Sequence, residues 1–377
     1  MLSKKLLAVL LVGVFALTGC SAPATDDVAI EEDGVIKLGY IGPLTGGVAS
    51  IGVMEQNVIN DFIEDYPEWD GREVEVIFED GQCSGQPAAN AAQKLINVDK
   101  VQLILGGGCS GETLAAAPIV EEAGVLLFSS ISTSPEVTDA GDFVFRNAPS
   151  DANSSVVMAQ AVADEGYEKV AIISELTDFG AAYHASVEEQ LAELGIEVVV
   201  SESFASEVTD FRTVLQKVSD ADADVILNLA NSASAAGFIV KQAAELGLDL
   251  PVYGTDVMSG SEYTEIAGEA AIGTYLVITA ADTSDEDVVA FLANYEEKYS
   301  EKAPAEAYAL FSEDRMHIIM QAIEEVGYNG EAIRDYLYEM KPYKGLSGNV
   351  EFDKNGDSSV MPTLNVYGED GIYSVVK

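Results

Sequence analysis

The stretch Val101-Gln-Leu-Ile-Leu-Gly-Gly-Gly-Cys-Ser-Gly-Glu-Thr113 reads as a buried strand running into a glycine turn and then into a helix that begins near Ser110. A βα turn of this kind aims backbone N–H groups and small hydroxyls at one point, where a small anion can be held. Gly106 to Thr113 comes close to a phosphate-binding loop, because the spacing of Gly106 and Gly111 fits and Thr113 stands where the Ser/Thr belongs. Glu112 occupies the lysine position, however, and a carboxylate there repels phosphates. The stretch therefore predicts a βα unit whose turn suits an anion smaller than a nucleotide, such as a carboxylate, or a tight turn with no ligand at all.

The same rhythm extends in both directions. Before the stretch, strands at residues 35–41 and 73–79 alternate with helices at 51–66 and 87–98. After it come a helix at 112–123 and a strand at 125–129. The segment Phe143-Val-Phe-Arg-Asn-Ala-Pro-Ser-Asp151 interrupts the alternation, which then starts afresh: strands at 169–174, 197–203, 224–229, 251–254 and 274–279, with helices between them. Helices at 285–299, 306–326 and 330–339 follow, and the tail reads as hairpins. Strands alternating with amphipathic helices imply parallel sheets covered on both faces. A chain of 377 residues exceeds one typical domain core. The expected fold is thus α/β, with two Rossmann-like lobes whose ligand site lies where the carboxyl ends of their strands face each other.

Charge and the amino terminus narrow the function classes. Lys+Arg number 19 against 64 Asp+Glu, a net charge of −45, which argues against nucleic acid or an anionic membrane surface as partner. Lys4 and Lys5 precede an apolar run, residues 6–17, of signal-peptide length, ending in Leu17-Thr-Gly-Cys20, a lipobox pattern. The expected processing is a lipoprotein signal peptide at 1–19, lipidation of Cys20 and a polar tether at 20–33. In an oxidising compartment the remaining two cysteines, Cys83 and Cys109, read as a disulfide. The rival reading, a cysteine nucleophile, needs a basic partner, and the only histidines are His184 and His317. No triad, metal-ligand cluster, paired-carboxylate site or cofactor motif stands out, so an enzyme is not expected.

A second collection of hydroxyls lies one strand after Ser110, in Val125-Leu-Leu-Phe-Ser-Ser-Ile-Ser-Thr-Ser-Pro135. Neighbouring parallel strands bring the two together as a neutral, donor-rich floor for a carboxylate.

With Ile36-Lys-Leu-Gly-Tyr-Ile-Gly-Pro-Leu-Thr-Gly46, Cys109-Ser-Gly111, Thr133-Ser-Pro-Glu-Val-Thr138, Phe145-Arg146, Pro149-Ser-Asp151 and Asp178-Phe-Gly180 in this order, the chain resembles the Leu/Ile/Val-binding proteins. These are type I periplasmic binding proteins that serve ABC importers. The resemblance runs from about Val35 to Tyr373. It implies an exported, lipid-anchored, monomeric substrate-binding protein that captures an amino acid, branched-chain or otherwise small and apolar, and delivers it to a membrane permease. It also implies a disulfide between Cys83 and Cys109. Carried over residue by residue, Ser110 and Thr133 hold the α-carboxylate and α-ammonium, Ile131 offers backbone, Asp256 takes the ammonium and Phe179 closes from the second lobe. Ile51 stands where an aromatic is common, Asn231-Ser232-Ala-Ser replaces a stretch that carries a tyrosine in some relatives, and Tyr308 offers a replacement wall. Hinges fall near Ser150, Thr279 and Asn349, giving lobe 1 as residues 34–150 and 280–348 and lobe 2 as 151–279 and 349–377. The same family hosts binders of urea, short amides and aromatic acids, and a ligand-sensing module for a signalling partner is a further alternative.

Three weaker signals read as structural. Asp353-Lys-Asn-Gly-Asp-Ser358 starts like a calcium loop but lacks its glycine and its closing glutamate, so it predicts a hairpin turn. His317 reads as a helical histidine, and Arg146 as half of a salt bridge.

Overall fold

Strands buried on both faces must alternate their side chains between two cores, and this alternation builds each lobe. In the computed structural model, which describes residues 34–279, 284–369 and 371–376, Leu103, Leu105, Leu126 and Phe128 point into one core while Ile104 and Leu127 point into another. The second lobe repeats the device, with Ala171 and Ile173 on one face and Val170 and Ile172 on the other. The expected signal peptide, Cys20 and the tether lie outside the described residues.

The first lobe runs β1 (Ile36–Gly42), α1 (Ala49–Asp65), β2 (Glu68–Trp69), β3 (Arg72–Asp80), α2 (Gly85–Asn97), β4 (Leu103–Gly106), α3 (Ser110–Ala123), β5 (Leu126–Ser129) and β6 (Val144–Arg146). The second runs α4 (Asp151–Asp164), β7 (Lys169–Glu175), α5 (Asp178–Glu193), β8 (Glu197–Phe204), α6 (Arg212–Asp220), β9 (Val225–Leu229), α7 (Ala233–Glu245), β10 (Val252–Thr255), α8 (Ser261–Ala267) and β11 (Tyr275–Ile278). Then come α9 (Glu286–Tyr299), α10 (Glu306–Val326), α11 (Gly330–Glu339), a hairpin of β12 (Tyr343–Gly345) and β13 (Gly348–Val350), and finally β14 (Thr363–Tyr367) and β15 (Tyr373–Val375).

The sheet orders decide where a ligand can sit. One sheet reads β2-β3-β1-β4-β5-β6 and the other β15-β14-β11-β10-β9-β7-β8. In each, the strand order reverses direction, between β1 and β4 in the first and between β7 and β9 in the second. At such a switch point the loops beyond the strand ends diverge and leave a crevice. A short polar cap starts the helix after β7: the Thr177 hydroxyl accepts from Gly180 N at 3.0 Å.

The late helices belong to the first lobe. Tyr299 donates to Asp61 at 2.6 Å, Asn57 donates to Tyr295 at 3.2 Å, and the Asn147 side chain donates to the Phe311 carbonyl at 2.7 Å. The expected crossing near Asn349 is placed too early. Phe352 packs against Phe128 and Phe145 of the first lobe, with ring centroids 5.4 and 5.3 Å apart, and Asp357 forms a 2.6 Å ion pair with Arg146. The chain returns to the second sheet only after this segment, at β14. Arg146 and the Asp353 turn therefore fasten the tail, as the salt bridge and hairpin readings had it. His317 packs edge-on against Phe62 at 4.7 Å.

Candidate ligand-binding site

A cavity of about 400 Å³ opens between the two switch points, within the size range of small-molecule pockets. From the first lobe it is lined by the β1 loop with Ile51, by Gly108–Ser110 after β4, by Ile131 and Thr133 after β5, and by Tyr308 of α10. From the second lobe come Phe179 after β7, Asn231 after β9, and Asp256 with the segment that follows β10.

The Gly106 turn needs its glycines. Gly106 has φ +126°, and a Cβ there would lie 2.1 Å from the Ile41 carbonyl oxygen; one on Gly108 would lie 2.5 Å from the Pro43 ring. Both positions let the backbone pass close to the end of β1, which any side chain would prevent. Cys83 and Cys109 are joined, with Cα atoms 5.3 Å apart. Glu112 binds both halves of this bridge, accepting from Cys83 N at 2.8 Å and Cys109 N at 2.9 Å. Burial raises its carboxyl to about 7, and these amide donors oppose the rise. The residue that spoils a phosphate loop thus caps its own helix and secures the turn.

The serine-rich loop is more self-contained than its hydroxyl count suggests. Ser129 and Ser132 donate to the Gly107 carbonyl at 2.7 and 2.9 Å, and Ser130 donates to Glu55 at 2.5 Å. The Ser134 hydroxyl accepts from Glu136 N at 3.3 Å. Ser110 and Thr133 are the members that line the cavity. Ile131 lines it too, with its N–H donating to the Ser129 hydroxyl at 3.2 Å. Ser232 does not line the cavity. Its hydroxyl accepts from Ala235 N at 3.4 Å as the cap of α7, and Asn231 takes the cavity position instead.

Below the floor, Glu55 and Arg315 form a wholly buried ion pair at 3.0 Å, and the Tyr40 hydroxyl donates to Glu55 at 3.0 Å. Opposite, Asp256 is 8% exposed and Asp151 2% exposed. Burial pushes the Asp256 carboxyl up to about 7. Burial and the neighbouring Asp256 charge push Asp151 well above the ordinary range, while the Thr133 hydroxyl and Arg146 act against the rise. One oxygen of Asp151, Oδ2, has no hydrogen-bond partner among the described residues.

Sequence reasoning missed Asp151 as a member of the site, although it stands in the quoted Pro149-Ser-Asp motif. It also missed α8, whose Glu262 and Glu265 line the cavity together with Glu301; the Asp256-Val-Met-Ser-Gly260 run before α8 carries no periodic pattern. Among the described residues no Lys or Arg lines the cavity. Among the described residues no cluster could hold a metal ion, and no helix is long and apolar enough to cross a membrane.

Comparison with known proteins agrees with this geometry. The family described as periplasmic binding protein matches residues 35–367. A leucine-, isoleucine-, valine-, threonine- and alanine-binding protein of Pseudomonas aeruginosa is 27% identical over 332 residues, 85% of this chain and 87% of that protein. The crystal structure of a leucine-binding protein from Thermotoga maritima matches with TM-score 0.83 and 28% identity, covering 91% of this chain and 98% of that one. A solute-binding protein of an ABC transporter from Rhodopseudomonas palustris, in complex with 3,4-dihydroxybenzoic acid, matches with TM-score 0.81 and 26% identity over 90% of this chain and 96% of that one. With two lobes of mostly parallel sheet facing each other across a cleft and a family match along nearly all of the described residues, this chain belongs to the periplasmic binding protein family.

Proposed function

We propose that the protein is the extracytoplasmic substrate-binding component of an ABC importer and captures an amino acid between its lobes. The observation that carries this reading is the pairing of unlike walls: neutral hydroxyls of Ser110 and Thr133 on one lobe, and the buried, cation-free Asp256 on the other. A carboxylate at the start of α3 meets small donors and a favourable helix end. The ammonium of the same molecule meets Asp256, with Phe179 and Tyr308 as apolar walls. The ligand touches both lobes only when they are closed, so it favours that state by its differential contacts, and no bond is made or broken. The closed form is then read by a membrane permease. Lipid on Cys20 keeps the protein, as a monomer, at the outer face of the cytoplasmic membrane.

The Rhodopseudomonas relative binds an aromatic acid, which supplies no ammonium. The acidic lining and the lack of any lining base disfavour such a ligand here. Calorimetry of Ser110→Ala and Asp256→Ala against amino acids, urea, amides and aromatic acids tests the assignment. Weakened amino-acid binding in both variants supports it; unchanged affinity in both, or binding of aromatic acids alone, refutes it.

A further inference from the structure

The charges around the cavity do not balance for an amino acid with a neutral side chain. Asp256 lines the cavity from the second lobe, and Asp151 adjoins it in a small space that also touches Thr133 and Tyr308. At the mouth stand Glu262, Glu265 and Glu301, all exposed, and none of the three has an ion-pair partner among the described residues. Glu262 and Glu265 are three residues apart on α8 and so share one face. Lys302, next to Glu301, does not line the cavity, and its charge acts on Glu306. A zwitterionic ligand adds an ammonium and a carboxylate, so it leaves this excess of negative charge where it was.

We infer that the ligand is an amino acid with a cationic side chain, its α-groups between Ser110, Thr133 and Asp256 and its side-chain cation at the Glu262–Glu265–Glu301 mouth. The inference rests on the amino-acid reading above and departs from the apolar side chain that the family resemblance implies. Two further observations support it. A space of about 400 Å³ has room for an extended side chain. Its lining includes the apolar Val48, Ile51, Met54 and Val257, which suit the methylene stem of lysine or arginine while the charged head reaches solvent. Phe179, Tyr295 and Tyr308 add ring surface along the way, and such faces attract cations.

The test is calorimetry of the full chain at low salt with L-lysine, L-arginine and L-leucine, repeated on the Glu262→Gln/Glu265→Gln double variant. The expected result is lysine or arginine binding at least about tenfold more tightly than leucine. In the double variant that preference shrinks at least about fivefold, with an unchanged unfolding temperature. Leucine binding as tightly as the cationic amino acids, or a double variant that keeps the full preference, overturns the inference and leaves the amino-acid reading intact. Failure of all three to bind overturns both.

Discussion

Glu55 in the first lobe and Asp256 in the second are both carboxylates largely removed from water, yet only Glu55 has a full counter-charge inside the protein. Arg315 meets Glu55 at 3.0 Å, with Tyr40 and Ser130 donating as well. Asp256 instead has Asp151 for a neighbour, and burial raises both carboxyls. The cost of burying a charge is therefore met within the fold in one lobe and left for a ligand to offset in the other. The first lobe is a prebuilt wall, and the second carries the group that rewards closure.

Breaking the first side of this comparison is expected to have the largest effect. Arg315→Met leaves Glu55 buried without its cation and should lower stability by about 3–5 kcal/mol in chemical denaturation. On the other side, Asp256→Asn should cost on the order of 2–5 kcal/mol of amino-acid binding while stabilising the ligand-free protein. The direction follows from the carboxyl being raised from 3.8 to about 7. Between those values the folded chain holds the proton more tightly than the unfolded chain, so stability falls as pH rises through the window and levels off above it. Unfolding temperatures at pH 4 and pH 8, with and without ligand, check this: the ligand-free decline should be smaller in Asp256→Asn, and ligand stabilisation should grow with pH.

The rigidity of the first wall can be tested separately. Replacing Cys83 and Cys109 together with serine should lower stability by about 3 kcal/mol, given their separation of 26 residues. Ser110→Ala should have the smallest effect, about 1.5 kcal/mol of affinity read by calorimetry. Its hydroxyl also accepts from Ser134 N at 3.2 Å, so a small loss of stability accompanies the change.

The layered α/β fold was legible because strands buried on both faces and helices with one apolar stripe leave opposite periodicities in the chain. Gly106–Thr113 and the Cys83–Cys109 pair were legible because backbone geometry and covalent chemistry act over short distances. The Glu55–Arg315 pair was not, since its members lie in α1 and α10 and meet only after the late helices fold back onto the first lobe. The serine loop misled for a related reason. Its composition advertises donors, but the Gly107 carbonyl and Glu55 consume several of them. The third crossing was placed near Asn349 because a hairpin pattern does not reveal which lobe it packs on; Phe352 and Asp357 settle on the first.

If Asp256, raised to about 7 by burial, holds a proton in the ligand-free protein and loses it to solvent when a ligand ammonium arrives beside it, binding must release protons near neutral pH. Calorimetry with L-lysine and L-leucine at pH 6.5, in buffers of different ionisation enthalpy, measures that release directly. The account predicts a fractional proton released per bound amino acid in the natural protein and almost none in Asp256→Asn. No release, or the same release in both proteins, would contradict it.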